Sequence, residues 1–215
     1  MDSNFARDAL ARLKSMPVLK TVGISGFMLL FFAGYFAALR HPVFQVRLMP
    51  EGPIDRLISY QPWTIWLYCT LWVYVVLPPS LMREPLPLIR FGAVAGVLAA
   101  IGLGIFVLWP TTVALQGTGF LKTLDRGGNA CPSLHAAFAV FTALCLQRLL
   151  LRLGAPRTLR AANWLWCGAI LYSTLATKQH VSADLAAGSL LGALVAPFAL
   201  GSASNVKDHA QPNGH

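Results

Sequence analysis

Charge is what this chain has least of. Only 12% of its 215 residues are charged, and acids are scarcest, eight Asp and Glu against seventeen Lys and Arg. Soluble domains carry roughly 25% charged residues. A chain that is 56% hydrophobic, with a mean hydropathy of +0.59, belongs in lipid instead. Cysteine is sparse too: four residues, with neither a CxxC pair nor a metal-ligand spacing, which argues against a zinc or dithiol site. Cys69, Cys145 and Cys167 fall within apolar runs, where cysteine acts as a small apolar side chain. Cys131 is read the same way. The alternation of apolar and polar residues that marks a membrane barrel is missing, because runs such as 91–109 are continuously apolar. No internal repeat is visible, which argues against a transporter built from duplicated halves.

What the chain does have is long apolar stretches. Six candidate spans lie near 21–39, 62–81, 89–109, 133–151, 162–178 and 183–200, each close to the 17–25 residues a membrane helix needs. The expectation is an all-α, polytopic membrane protein with six transmembrane helices. Residues 1–20 form a basic leader that either lies on the membrane surface as an interfacial helix or is a polar disordered lead. Residues 21–200 form the membrane domain, and 201–215 form a polar tail. The first apolar stretch exceeds the 7–15 residues of a signal-peptide core, so it reads as a retained helix. With the N-terminus inside, inner segments carry eleven Lys and Arg and outer segments six. That bias predicts both termini in the cytoplasm. The net charge of +9 is accounted for by this bias and by anionic headgroups, and no nucleic-acid partner is expected.

Two short strings carry the chemistry: C-P-S-L-H at 131–135 and K-Q-H-V-S-A-D at 178–184. Between His135 and His180 there is room for two helices of about 20 residues and a turn, so both imidazoles return to one membrane face. Asp184 follows His180 by four residues, which on a helix would place them on one side. A carboxylate on one ring nitrogen fixes the tautomer and frees the other as nucleophile or base. Asp184 also suits a plain helix cap. Pro132 fits a first helical turn, Ser133 offers a hydroxyl, and the free N–H groups there favour an anion. Gly127 and Gly128 lie just upstream. Together these groups suggest phosphoryl transfer through a histidine, with no metal and no cofactor.

Here the sequence resembles the type-2 phosphatidic-acid phosphatase superfamily, whose members share a fold with vanadium haloperoxidases. That family carries P-S-G-H, then S-R, five residues, H, three residues and D. This chain has Pro132, Ser133, Leu134, His135, then Ser173, Thr174, five residues, His180, three residues and Asp184. The resemblance implies that His180 attacks phosphorus, that Asp184 orients it, and that His135 protonates the leaving group and then activates the acceptor. Ser133 would hold a phosphate oxygen. Leu134 stands where the motif has glycine, Thr174 where it has arginine, and the family's first motif is missing in its usual form. Lys178, Lys122 and Arg126 are the cations expected to take over the phosphate alongside Thr174.

Leucine at 134 and a non-arginine at 174 also resemble the inositol-phosphorylceramide synthase branch, which implies headgroup transfer as an alternative to hydrolysis. A catalytically inactive relative is a further alternative. The resemblance implies a lipid-phosphate substrate held among membrane lipids; the charge bias places both histidine strings on the outer face, and the small size makes a bacterial inner membrane the default expectation. The aromatic run Trp63, Trp66, Tyr68, Trp72 and Tyr74 reads as an interfacial belt or as one wall of a groove that admits lipid. His41 marks the outer end of the first helix, and His209 and His215 belong to the tail.

Overall fold

The computed structural model describes residues 3–40, 43–114 and 129–201. Lys122, Arg126, Gly127, Gly128, His41 and the tail from 202 onward lie outside the described residues.

The described chain is nearly all helical. A basic helix α1 (Ser3–Lys14) precedes α2 (Pro17–Arg40). Leu10 and Leu13 of α1 stay half exposed, while Phe5 packs on the core. Lys20 fastens the corner: its Nζ donates to Arg12 O at 2.5 Å and to Ser80 O at 2.8 Å. Pro17 opens α2, where a missing N–H costs nothing. Among the described residues, four helices are long and apolar enough to cross a membrane. They are α2, α7 (Pro85–Leu108), α8 (Leu134–Arg152) and α10 (Ser182–Ala199).

Two of the six expected spans look different. The fifth becomes α9 (Arg157–Ala176), long enough but polar at its start, where Arg157, Arg160 and Asn163 lower its hydropathy. The second is not one helix. It is a 3-10 turn (Pro62–Thr64) followed by α4 (Ile65–Cys69), α5 (Leu71–Tyr74) and α6 (Leu77–Ser80). Thr70 bonds its hydroxyl back to Leu67 O at 2.6 Å, a local competition that bends helices. Pro78 and Pro79 bring no N–H to the ladder.

Helix α8 is the centre, with α9, α10 and the short pieces α5 and α6 packed around it. Contact between α8 and α10 is backbone to backbone. A Cβ at Gly188 would overlap Ser133 O, and one at Gly192 would overlap Ala137 O. Across α8 from there, Tyr74 donates to Asn163 Oδ1 at 2.5 Å, and Asn163 donates to Ala143 O at 3.0 Å, closing a buried polar link. At the end away from the histidines, Arg90 donates to Phe198 O and Arg152 to Gly201 O, both at 2.8 Å. Arg90 thus satisfies one of the last carbonyls of α10, and Arg152 one just past its end.

At the histidine end, a short parallel pair joins β1 (Arg47–Leu48) to β2 (Thr111–Thr112). The strap continues into α3 (Pro53–Leu57).

Candidate active site

The first histidine string is built by a cap. Ser133, not Pro132, marks the start of α8: its Oγ accepts from Ala136 N at 3.2 Å, the bond that makes serine a favoured N-cap. Pro132 therefore sits just outside the helix, after a cis peptide bond. His135 lies in the first turn and is 8% exposed. Its Nε2 lies 2.9 Å from Tyr68 O. A carbonyl only accepts, so Nε2 carries a proton and Nδ1 is the nitrogen left to exchange one. Tyr68 stacks on the imidazole at 3.7 Å between ring centres, and Trp72 meets it edge-on at 5.9 Å.

The second string forms the turn between α9 and α10. His180 and Asp184 do not share one helical face, because α10 begins only at Ser182. Their approach comes from the cap. Asp184 Oδ2 turns back to accept Val181 N at 3.1 Å, which leaves it 3.8 Å from His180 Nδ1. That gap is within ion-pair range and beyond a hydrogen bond. Among the described residues, His180 Nδ1 and Asp184 Oδ1 are both buried without a hydrogen-bond partner, and leaving buried polar atoms unpaired is costly. Nδ1 lies on the carboxylate side, so Nε2 is the nitrogen left for chemistry. The two strings meet directly where Ser133 N donates to Asp184 O at 3.0 Å.

His135 and His180 line one cavity of about 1070 Å³. Its other walls are mainly apolar and aromatic: Phe31, Phe32, Phe36, Tyr68, Trp72, Phe106 and Phe138, with Asn129 and Gln179 at its polar edge. A second cavity of about 920 Å³, lined mainly by apolar residues of α2, α5, α6, α7 and α8 with Lys20 and Thr142 among them, adjoins it across Phe31, Leu71, Trp72 and Phe138.

The remaining residues singled out in the sequence are placed elsewhere. Asp184 and Ser133 are fully buried behind the cavity. Thr174 is fully buried as well. Its hydroxyl bonds Leu171 O at 2.7 Å, while its carbonyl accepts Gln179 N and His180 N and so shapes the nucleophile turn. Lys178 is turned away from the histidines, with Nζ on Asp55 O at 2.5 Å. Neither Thr174 nor Lys178 lines the cavity that holds the two histidines. No lysine or arginine among the described residues lines the histidine cavity. The aromatic run divides: Trp63 and Trp66 are exposed, Tyr68 and Trp72 line the cavity, and Tyr74 is buried against α9.

Two contributors, Asn129 and Asp55, were not singled out, and Tyr68, read as part of an aromatic belt or groove wall, has a further role at His135. Tyr68 acts through its main-chain carbonyl, which no side-chain pattern betrays. Asn129, beside the first string, donates to the Tyr35 hydroxyl at the cavity wall. Asp55 has one sequence signal, a helix start in which proline is followed two residues later by an acid. Cys131 is not a reactive thiol. Burial, together with the negative charge of Asp184 beside it, pushes its pKa up to about 11, so it stays protonated at neutral pH.

A family model described as the PAP2 superfamily matches residues 88–207, more than half of the chain. The chain belongs to the PAP2 superfamily. The matched stretch contains α8, α9 and α10 and both histidine strings. No curated protein and no solved structure matches the chain. Members of the PAP2 superfamily are phosphatases or phosphotransferases, so activity on phosphate esters follows for this protein at that level.

Proposed function

We propose that this PAP2 protein is a membrane-embedded, metal-independent lipid phosphatase that works through a phosphohistidine on His180. The observation that carries the reading is the pair of imidazoles on one apolar cavity, with a buried carboxylate 3.8 Å behind one of them. An aromatic wall and an adjoining apolar cavity suit a substrate with a hydrocarbon chain better than a free sugar phosphate.

In this mechanism His180 Nε2 attacks phosphorus, a P–N bond forms, and the P–O bond to the lipid alcohol breaks. Asp184 stabilises the positive imidazole that results. His135, as imidazolium, gives its Nδ1 proton to the leaving oxygen, while Nε2–H stays on Tyr68 O. Neutral His135 then takes a proton from water as that water attacks phosphorus and releases phosphate and free His180. Lys122 and Arg126 are the cations proposed to balance the phosphate. The proposed topology is six crossings with both termini in the cytoplasm and the site facing outward, by default from a bacterial inner membrane.

The test is phosphate release from a panel of lipid phosphates by purified protein, with His180→Ala beside it. Release that disappears in the variant, is inhibited by vanadate and survives EDTA is the expected result. Release that persists in high vanadate and is lost on chelation would replace the reading with a metallohydrolase. With no release from either protein, transfer of a labelled headgroup to an alcohol acceptor becomes the next assay.

A further inference from the structure

The geometry points to Asp55 as a positioning residue that holds the His180 turn from the opposite side of the chain. This rests on the phosphohistidine reading above. Asp55 lies 3% exposed in α3, more than 120 residues before the turn it touches. Its Oδ1 accepts Ser182 N at 2.7 Å, and its Oδ2 accepts Ser182 Oγ at 2.9 Å and Gly52 N at 2.7 Å. The first of these satisfies a free N–H at the start of α10, so Asp55 acts as an N-cap supplied by another segment.

The same residue holds the turn at a second point. Lys178 has φ +55, a left-handed conformation that a non-glycine residue keeps only when its surroundings impose it. Its Nζ donates to Asp55 O at 2.5 Å. Residues 178 and 182 thus bracket His180 and are both fastened to one aspartate. Gly52 leaves room for this closure: a Cβ there would lie 3.3 Å from both Asp55 Oδ2 and Ser182 Oγ.

The strap that carries Asp55 is itself fixed to the other histidine string. Arg47 N donates to Pro110 O at 3.0 Å and Met49 N to Thr112 O at 2.8 Å. From β2, Thr111 O accepts Ala130 N at 2.9 Å, and Thr111 Oγ1 accepts Cys131 N at 2.8 Å. Residues 47–57 therefore clasp both turns. The spacing of His180 from His135 depends on Asp55 as well as on the packing of α8 against α10. Asp55 touches no reacting atom; its effect on turnover passes through the placement of His180.

The experiment uses Asp55→Asn, Ser182→Ala and Lys178→Met in the full chain. It reads kcat and KM for lipid-phosphate release, thermal unfolding, and the rate at which diethylpyrocarbonate modifies His180, followed by mass spectrometry. Asp55→Asn keeps the shape and loses the charge and one acceptor. It should lower kcat by up to about 100-fold, the scale of a misplaced reacting group, with KM little changed, and should speed His180 modification severalfold while His135 is unaffected. Ser182→Ala and Lys178→Met each remove one contact and should shift kcat the same way by less. Should Asp55→Asn fail to fold, those two variants decide, and unchanged kcat in both overturns the proposal. A raised KM with unchanged kcat in Lys178→Met also overturns it, since that places the lysine on phosphate. If the wild-type protein releases no phosphate at all, the lipid-phosphatase reading has failed, and His180 modification still decides the role of Asp55. Faster modification in Asp55→Asn upholds it, and an unchanged rate overturns it.

Discussion

At the scale of single residues, the site divides into groups that face the cavity and groups that hold them. His135 and His180 face it, and Asp184 holds. Asp184 has two duties, a backbone cap on Val181 and the charge nearest His180 Nδ1. Asp184→Asn separates them, because an amide oxygen still caps while the charge is gone. The expected outcome is a folded protein whose unfolding temperature barely moves and whose kcat falls by roughly 100-fold or more, checked by steady-state kinetics beside a melting curve. The two histidines and Asp184 were legible in the sequence because titratable side chains are costly in apolar surroundings. The phosphate cradle was less so. Thr174 and Lys178 have the right chemistry and the right end of the molecule, but local bonds to Leu171 O and Asp55 O direct their side chains elsewhere. Spacing reports which face a residue occupies, not which neighbour claims its polar atoms.

At the scale of elements, the expected spans at 21–39, 89–109, 133–151 and 183–200 foretold α2, α7, α8 and α10 within a few residues. The broken second span was not foretold, since hydropathy averages over Thr70, Pro78 and Pro79, whose backbone effects are local. Nor does hydropathy report how closely two helices approach. The α8–α10 contact is set by Gly188 and Gly192, where any side chain meets main-chain atoms that cannot swing away. Gly188→Ala should therefore destabilise the protein by about 1–3 kcal/mol and separate the two histidine strings. Gly96→Ala, on the open side of α7 with nothing within 4 Å of the added methyl, should stay within about 1 kcal/mol of wild type. Thermal unfolding of both variants in the same detergent checks the contrast. Equal melting temperatures would show that α8 and α10 are not in backbone contact.

At the scale of the whole molecule, the two ends differ in charge and in task. Arginines gather at the end of α10 away from the histidines, where Arg90 binds Phe198 O and Arg152 binds Gly201 O just past the helix. The strap and the two histidine turns occupy the other. Positive residues retained on the cytoplasmic side predict which end faces out. In a background with Cys69→Ser, cysteine introduced at exposed Ser59 should react with a membrane-impermeant maleimide in intact cells. Cysteine at exposed Glu84 should react only after lysis. The reverse pattern would turn the cavity toward the cytoplasm.

Leu134, the residue that departs from the motif's glycine, has a consequence that reaches across the bundle. It is 5% exposed, and its side chain occupies the space where a Cβ on Gly102 of α7 would stand. The volume missing from one helix has been supplied by the other. The two positions should therefore behave as a compensating pair, each single exchange harmful and the double exchange mild. Gly102→Ala and Leu134→Gly should each lower stability, and the variant carrying both should recover part of the loss. Among relatives that keep glycine after the serine, a bulkier residue is expected where this chain has Gly102.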